Sequence, residues 1–369
     1  MNLVNIDIIA GARPNFMKIA PIINAIKSHQ AEGGNLRFRL VHTGQHYDKK
    51  MSGDFFSQLG IPLPDVDLGS GSGTQAEQTA AILIRYEELL SGEKPDLCLV
   101  VGDVTSTMAC AITAQKMGVS VAHVEAGIRS GDWDMPEEIN RLVTDAITNI
   151  FFTTSELASQ NLIDAGSSED DIYFVGNTMI DTLLANVNRF CAPEFWGALG
   201  LKSGQYLVLT LHRPGNVDDY SNFENMLRII CTGSRNVPIV FPVHPRTAKT
   251  LSMLKGLPEN LHFVEPLPYL EFNYLVQNSK GVITDSGGIT EECTVMKIPC
   301  MTLRDTTERP ETVTMGTNEL IGTDPNLLKP ALDRLFEGKW KGGSIPDKWD
   351  GKTGTRIVTI LASKYNNGI

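Results

Sequence analysis

The sequence predicts an α/β protein with two Rossmann-like domains, each built on a doubly wound parallel sheet. Short apolar runs alternate with longer amphipathic stretches along the whole chain, which is the pattern of βαβ units. The chain has 369 residues, long for one such sheet, and the alternation restarts after the sixth apolar run. We therefore predict one domain over residues 1–177 and a second over residues 178–353.

The predicted strands form two sets of six, and the gaps between them are long enough for helices. The first set is Val4–Ala10, Phe38–Thr43, Leu97–Val101, Val119–Val124, Ile150–Thr153 and Ile172–Val175. The second set is Tyr206–Leu211, Ile239–Val243, Leu261–Val264, Gly281–Thr284, Cys300–Leu303 and Glu319–Ile321.

Local signals mark three of the helices. Pro136 opens one of them, with two acidic residues in the first turn, where the helix dipole favours negative charge. Thr74 is an N-cap for a helix over Gln75–Leu90. A last helix over Gly354–Tyr365 is expected to bring residues 354–369 back onto the first domain.

Composition limits the partners and the location. The 43 acidic and 32 basic residues give a net charge of -11, which disfavours binding to nucleic acid or to an anionic membrane. The six cysteines show no Cys-x-x-Cys pair and no metal-ligand spacing, so we expect reduced thiols and no metal site. We expect no signal peptide, because the short apolar run near Met1 is not preceded by basic residues, and no membrane span, because no apolar stretch is long enough. We expect a cytoplasmic protein.

Polar clusters follow the predicted strands, at the edge where open α/β sheets bind ligands. In the first domain they are Gly11–Asn15, His42–His46, Gly102–Ser106 and Glu125–Arg129. In the second they are His212–Arg213, His244–Arg246, Asp285–Gly288 and Arg304–Glu311. Two such edges facing each other across a cleft would form one site.

The small residues of Asp285–Gly288, between a strand and a helix, suit a pyrophosphate at a helix N-terminus. A tight turn capped by Asp285 explains the same residues equally well. Glu292 could accept hydrogen bonds from ribose hydroxyls. The first βα turn lacks the Gly-x-Gly-x-x-Gly pattern, which disfavours a dinucleotide cofactor, whereas Arg13 and Lys18 suit the charge on a leaving phosphate.

Asp103 and Glu125 end consecutive predicted strands, so their carboxylates should lie on one edge of the sheet. Paired acids suggest proton transfer, but helix capping by Asp103 and a loop hydrogen bond by Glu125 are equally compatible with the pattern. Glu137 is also explained by the helix dipole. A lone histidine such as His212 is more often a hydrogen-bonding residue than a catalyst.

The ordered motifs GARPNFMKIAP, HTGQHYD, GDVTST, HVEAGIRS, MPEEINR, LHRPGN, PVHPRT, DSGGITEE and RDTTERPE resemble those of the non-hydrolysing UDP-N-acetylglucosamine 2-epimerase family. The resemblance runs from about Ile8 to about Thr323. It implies a two-domain GT-B fold with an interdomain cleft, and a homodimer. The implied reaction interconverts UDP-GlcNAc and UDP-ManNAc by eliminating UDP to a 2-acetamidoglucal and adding it back, without a nicotinamide cofactor or metal. It would feed cell-surface polysaccharide synthesis.

The resemblance also implies site residues. Asp103, Glu125, Glu137 and His212 fall on the family's catalytic positions. The positions around the nucleotide are Arg13, Lys18, Phe272, Ser286, Gly287, Gly288, Glu292 and Arg309, with Phe272 near the uracil and Glu292 on the ribose. We expect the three carboxylates to divide proton transfer and stabilisation of C1 between them.

Two departures from the family pattern concern regulation. Gly215 stands where many members have glutamate, and Thr74–Gln75 stands where substrate-regulated members tend to have Arg-Gln. We therefore expect weak or absent allosteric activation by UDP-GlcNAc.

Four alternatives to this function remain: an epimerase of a related sugar such as a UDP-2,3-diacetamido uronic acid, a hydrolysing epimerase, a glycosyltransferase of the same fold, and a non-catalytic binding protein.

Overall fold

The computed structural model describes residues 2–44, 58–243, 245–251, 253–254 and 256–366, without the side chains of residues 13, 14, 245, 246 and 249. The chain divides into two compact units. The N-terminal unit comprises Met1–Ala185 and Asp347–Ile369, and the C-terminal unit comprises Asn186–Pro346.

The N-terminal unit contains a parallel sheet of seven described strands. They are β1 (Val4–Ala10), β2 (Leu36–His42), β3 (Val66–Asp67), β4 (Leu97–Val101), β5 (Ser120–Val124), β6 (Ile150–Thr153) and β7 (Ile172–Phe174). Their spatial order is β3-β2-β1-β4-β5-β6-β7, and each pairing is parallel. The winding reverses between β1 and β4, and ligands of doubly wound sheets bind beyond the strand ends at such a point.

Described helices alternate with the strands of this sheet. They are α1 (Arg13–Ala31), α2 (Gln75–Gly92), α3 (Thr105–Lys116), α4 (Pro136–Ala146), α5 (Glu156–Asp164) and α6 (Thr178–Asn186). Before α2, the Thr74 hydroxyl accepts from the Glu77 backbone N–H, and the Glu77 carboxylate accepts from the Thr74 N–H. This reciprocal capping box confirms the predicted start of α2, and Pro136 likewise opens α4 as predicted.

The C-terminal unit repeats the plan with a six-stranded parallel sheet. Its strands are β8 (Leu207–Thr210), β9 (Ile239–Pro242), β10 (Leu261–Val264), β11 (Gly281–Thr284), β12 (Cys300–Thr302) and β13 (Asn318–Leu320). Its helices are α7 (Phe195–Ala198), α8 (Pro214–Val217), α9 (Tyr220–Gly233), α10 (Pro245–Leu251), α11 (Tyr269–Gln277), α12 (Gly287–Met296), α13 (Pro310–Thr314) and α14 (Leu328–Phe336). The spatial order β10-β9-β8-β11-β12-β13 reverses between β8 and β11.

Successive residues of β8 show why this sheet is buried on both faces. Leu207 and Leu209 pack in one apolar cluster together with Phe223 of α9. Val208, between them in sequence, packs in a second cluster with Leu275 of α11. Because side chains alternate across a strand and helices cover both faces, both alternating sets must be apolar. The expectation of two α/β units with parallel sheets is confirmed.

The last helix, α15 (Thr353–Asn366), belongs to the N-terminal unit. Gly354 lies so close to α1 that a Cβ there would meet the Pro21 carbonyl oxygen at 2.6 Å. Its backbone N–H donates to the Asp181 carboxylate at 2.8 Å. Lys364 forms an ion pair of 2.9 Å with Asp171. The C-terminal segment therefore completes this unit.

Two details differ from the sequence analysis. The division between units falls after Ala185, later than the 177/178 boundary, because α6 is anchored to the N-terminal unit: the Thr182 hydroxyl donates to the Met17 carbonyl. The short edge strand β3 was not predicted, since two residues show no periodicity. Within the described residues, no helix combines the length and apolarity needed to cross a bilayer.

Candidate functional site

The carboxyl ends of β1 and β4, at the reversal of the first sheet, are joined by Asn15. Its Oδ1 accepts from the backbone N–H of Gly11 and of Ala12, at 3.1 and 2.9 Å, and its Nδ2 donates to the Val101 carbonyl at 3.1 Å. The predicted site residue Arg13 starts α1 at this turn, and its side chain lies outside the described part of the chain. Asn15 therefore fixes the turn between β1 and α1 against the end of β4.

Glu125 directly follows β5 and is buried against Lys18, whose Nζ lies 2.9 Å from its Oε2. Glu125 has a φ of 70°, a left-handed conformation that costs a non-glycine residue about 1–3 kcal/mol. A Cβ on Gly102 would lie 2.8 Å from Lys18 Nζ, so the absence of a side chain at Gly102 leaves room for the ammonium group. Lys18 is thus a partner of a predicted catalytic carboxylate.

Asp103 follows β4, and its side chain contacts Arg141 of α4 instead of capping α3. Arg141 donates to Asp103 Oδ2 from Nε at 3.0 Å and from Nη2 at 2.7 Å. Asn140 donates to the Asp103 carbonyl at 2.8 Å. Helix α3 begins with no side-chain cap, so the capping explanation of Asp103 is wrong. Its carboxylate is oriented by α4.

The two acids at the start of α4 have different surroundings. Glu138 is buried and accepts from the backbone N–H groups of Ser130 and Gly131 and from Arg141. Burial alone would raise the pKa of Glu138, but these donors hold its pKa below the usual value. Glu137 is half-buried in the same turn. Glu138 therefore anchors the loop before α4, and Glu137 is the more accessible acid.

In the C-terminal unit, Asp285 organises the corresponding sheet edge. This buried residue follows β11, and its carboxylate accepts from the backbone N–H of His212 and Arg213, which follow β8, and from Asn216 Nδ2. The His212 Nδ1 lies 2.7 Å from Asp285 Oδ1. Burial raises the pKa of Asp285, but His212 and the backbone donors outweigh it and lower that pKa overall. His212 is thereby held at the strand end, half-exposed.

The N-terminus of α12 has the composition of an anion site. Ser286 is its N-cap and makes no side-chain capping bond, and Gly287 and Gly288 open the helix. Arg304, 5% exposed, lies beside this turn, 2.6 Å from Glu308 in an ion pair. A Cβ on Gly287 would meet Glu308 Oε1 at 2.7 Å. The first-turn N–H groups provide positive potential, whereas the charge of Arg304 beside them is offset by its ion pair with Glu308.

Glu292 lies one turn further along α12, facing α11. It is 4% exposed, and Asn273 Nδ2 lies 3.5 Å from its Oε1. Burial raises the pKa of Glu292 to about 7, against the opposing effect of Tyr269 and Asn273. Phe272, on α11, is partly buried against the apolar cluster beneath the sheet. A buried carboxyl group with this neighbourhood is suited to accept hydrogen bonds from hydroxyls of a ligand.

Arg309 has an immediate structural partner. It is buried and forms an ion pair with Glu291 of α12, and its carbonyl accepts from the Thr312 hydroxyl at 2.8 Å. Arg309 thus fixes the start of α13 to α12. A direct contact of Arg309 with a nucleotide stays a prediction.

Sequence reasoning missed the residues that orient the predicted ones. Arg141 and His123 both occur in quoted motifs, MPEEINR and HVEAGIRS, but neither was selected, because their partners are distant in the chain. Asp285 was quoted only as a turn residue or cap. The sequence does show that both residues carry polar side chains within motifs that follow or precede apolar runs. An arginine or histidine that is buried on folding requires a hydrogen-bond acceptor, and this requirement is the signal that could have pointed to them.

Comparison with known proteins identifies relatives along nearly the whole chain. A family model described as UDP-N-acetylglucosamine 2-epimerase matches residues 28–362. The UDP-N-acetylglucosamine 2-epimerase of Methanocaldococcus jannaschii is 40% identical over 98% of this chain and 100% of its own length. The UDP-2,3-diacetamido-2,3-dideoxy-D-glucuronate 2-epimerase of Pseudomonas aeruginosa is also 40% identical, over 96% of this chain and 98% of its own.

A crystal structure of the Methanocaldococcus jannaschii UDP-GlcNAc 2-epimerase, in complex with UDP-GlcNAc and UDP, has a similar fold. It superposes with a TM-score of 0.87 at 40% identity, covering 98% of this chain and 100% of that one.

Proposed function

Because this chain belongs to the UDP-N-acetylglucosamine 2-epimerase family, we propose that it interconverts UDP-GlcNAc and UDP-ManNAc without hydrolysing the nucleotide. The observation that carries the proposal is the end-to-end match to a 2-epimerase whose crystal structure contains UDP-GlcNAc and UDP. The order of motifs from GARPN to TERPE, spread over both units, supports it.

The proposed reaction breaks two bonds and makes them again. A base removes the C2 proton while the bond between C1 and the UDP oxygen breaks, which gives a 2-acetamidoglucal and UDP. Return of UDP to C1 and of a proton to the other face of C2 gives the epimer. The C2 proton is not adjacent to a carbonyl, so elimination requires a departing anion and stabilisation of positive charge at C1.

In the N-terminal unit we assign these tasks to Asp103, Glu125 and Glu137. The carboxylates of Asp103 and Glu125 follow the neighbouring strands β4 and β5, which pair in register up to Val101 and Val124. Arg141 orients Asp103, and Lys18 accompanies Glu125. Such fixed groups stabilise developing charge without having to reorganise during the reaction.

In the C-terminal unit we assign the nucleotide to the N-terminus of α12 and its neighbours. Ser286, Gly287 and Gly288 would bind the diphosphate, Glu292 the ribose and Phe272 the uracil. We assign His212 to an interaction with the leaving UDP, since Asp285 fixes the imidazole ring through its Nδ1. Retention of UDP after elimination keeps it available for re-addition.

The test is incubation of the purified chain with UDP-GlcNAc in D2O, without added cofactor, followed by NMR of the sugar protons. We expect UDP-ManNAc with deuterium at C2 and the nucleotide still attached. Free ManNAc would replace the proposal with a hydrolysing epimerase. If no UDP-2-acetamido sugar is converted, the remaining interpretation is a non-catalytic binding protein.

A second candidate substrate is a UDP-2,3-diacetamido uronic acid. The observation that favours it is the Pseudomonas aeruginosa enzyme, which is as similar to this chain as the archaeal UDP-GlcNAc enzyme, 40% in both cases. The C2 chemistry is the same for both sugars, so the carboxylates do not discriminate between them. Rates with the two substrates, measured side by side by the same NMR experiment, decide which is preferred.

The proposal includes a homodimer. A groove between α2 and α4 is lined by apolar side chains, among them Leu83, Trp133 and Ile139, and Trp133 is 70% exposed. Exposed apolar surface of this kind is typical of association sites. Sedimentation velocity should give twice the chain mass of 40.4 kDa, and Trp133→Glu should give monomers. A monomeric wild type would contradict it.

We also place the protein in the cytoplasm. Each of the six cysteines is a free thiol, and five of them are buried. Thiols in this state are typical of reducing compartments. Fractionation of the native host, with detection by antibody, tests the location.

A further inference from the structure

His123 lies in the centre of the N-terminal unit, next to both predicted catalytic loops. It is the fourth residue of β5 and has 0% exposure. Its Nδ1 is 2.7 Å from Asp145 Oδ1, and its Nε2 is 2.8 Å from the Gly102 carbonyl oxygen. A carbonyl only accepts hydrogen bonds, so Nε2 must carry a hydrogen.

The Asp145 carboxylate requires a hydrogen on the other ring nitrogen as well. Its Oδ2 accepts from the Gly127 backbone N–H at 3.1 Å and from Arg129 Nη1 at 2.6 Å. Burial raises the pKa of Asp145, but His123 and Arg129 reverse this and hold it below the usual value. The Arg129 guanidinium on Oδ2 keeps Asp145 a carboxylate, and a carboxylate accepts at Oδ1 too, so both ring nitrogens of His123 carry a hydrogen.

The hydrogen-bonded pair of His123 and Asp145 holds the backbone next to the two predicted catalytic carboxylates, those of Asp103 and Glu125. Gly102, with a φ of 67°, donates its N–H to the Val124 carbonyl at 3.0 Å, and its own carbonyl is held by His123. Asp103 is the next residue. At the other end, Asp145 holds the Gly127 N–H, two residues after Glu125. Glu125 itself is in the left-handed conformation, which surrounding contacts must maintain.

We propose that His123 is a positioning residue, an imidazolium that fixes the Gly102 carbonyl and thereby the carboxylate of Asp103, without itself exchanging a proton with the substrate. The side chain is fully buried, and its two nitrogens are both occupied by protein acceptors. It therefore has no hydrogen-bonding capacity left for a ligand. The effect on turnover rests on the proposed function, and the hydrogen-bonding state of the ring does not.

Two variants separate the Gly102 contact from the Asp145 contact. In His123→Gln the terminal amide nitrogen can occupy the position of Nε2 and still donate to Gly102. In His123→Asn the shorter amide replaces Nδ1 and reaches only Asp145. Both substitutions remove the positive charge, so the charge cannot explain a difference between them.

We expect H123N to lower kcat on the order of 100-fold, as a small misplacement of a catalytic group does, and H123Q by about 10-fold or less. KM should change less than kcat in either variant, because Ser286, Gly287 and Gly288, which are assigned to the diphosphate, lie in the other unit. His262→Gln, a substitution on β10 outside the assigned sites, is the control for loss of a histidine. Equal losses in H123N and H123Q, or a change confined to KM, would overturn the proposal.

A measurement on the unmodified protein keeps the proposal testable if a variant fails to fold. Protein with nitrogen-15 in its histidine rings should show one buried ring with hydrogens on both nitrogens at neutral pH. A fully buried imidazolium exchanges these hydrogens slowly, so both signals should persist after transfer to D2O. A His123 ring with one bare nitrogen would overturn the proposal. A wild type that epimerises no UDP-sugar would refute the proposed function but leave this spectrum interpretable.

Discussion

Replacing Glu292 with glutamine should stabilise the C-terminal unit at alkaline pH. The carboxyl group is buried on α12 against α11, with Asn273 at 3.5 Å, and burial raises its pKa to about 7. The folded protein therefore keeps this proton to a higher pH than the unfolded chain does. Because the unfolded chain binds fewer protons in that window, the free energy of unfolding decreases as the pH rises.

The size of the effect follows from the two pKa values. A shift from 4.5 to about 7 corresponds to about 3 kcal/mol lost once the pH exceeds both values. Between about pH 5.5 and pH 8.5, wild type should lose about 2 kcal/mol from this group alone. Glutamine carries no ionisable proton, so E292Q should not show this loss. The other titrating groups are common to both proteins and cancel in the comparison.

The assay is urea unfolding of both proteins across this pH range, followed by tryptophan fluorescence. Trp196 reports on the C-terminal unit, since it packs edge-on against Tyr206 at 5.3 Å. Glu259→Gln, which removes an exposed carboxyl of the same unit, is the matched control and should remain parallel to wild type. Parallel curves for E292Q and wild type would refute the idea that Glu292 is buried as a neutral acid.

The same substitution should weaken UDP binding. If Glu292 accepts from ribose hydroxyls, calorimetry at about pH 8.5, above its pKa of about 7, should show that loss of the charged acceptor costs about 1.5–3 kcal/mol, or roughly 10- to 100-fold in Kd. E292Q would then be more stable but bind less tightly. Unchanged UDP affinity would remove Glu292 from the ribose site.

Three further predictions concern the N-terminal unit and regulation. Asp103→Asn should lower kcat by about 100-fold or more. It should leave the UDP affinity, measured by calorimetry, within a factor of about three of the wild-type value. A near-normal rate would show that Asp103 takes no part in the chemistry. Arg141→Lys keeps the charge but loses the planar fork that donates to Asp103 from Nε and Nη2 and to Glu138 from Nη1. It should therefore cost about 1.5–3 kcal/mol of stability and lower kcat. The control Arg228→Lys, in an exposed pair, should cost less than about 0.5 kcal/mol, and equal shifts of Tm would contradict this. The rate should depend hyperbolically on UDP-GlcNAc, since Gly215 lacks the glutamate of many family members, and a strongly sigmoidal curve would show that an effector site operates.

The architecture was predictable because its signals are local. Apolar runs such as Val4–Ala10 and Leu97–Val101 coincide with β1 and β4, and Thr74 and Pro136 mark helix starts through contacts within one turn. The edge strand Val66–Asp67 escaped prediction because it is too short to show a period. Strand adjacency also placed Asp103 and Glu125 at one edge of the sheet, since neighbouring parallel strands end side by side.

The partners of those residues were decided by tertiary structure alone. Lys18 and Glu125 are 107 positions apart in the chain, and Arg141 is 38 positions from Asp103. Which face of α1 or α4 meets the sheet depends on how both helices pack, and no short-range pattern records it. The amino-acid sequence by itself determined the strands, the turns and the types of reactive group, because those depend on periodicity and on conformational preference within a few residues. Only the folded chain decided which buried charge lies within hydrogen-bonding distance of which carboxylate, because that distance is set by packing.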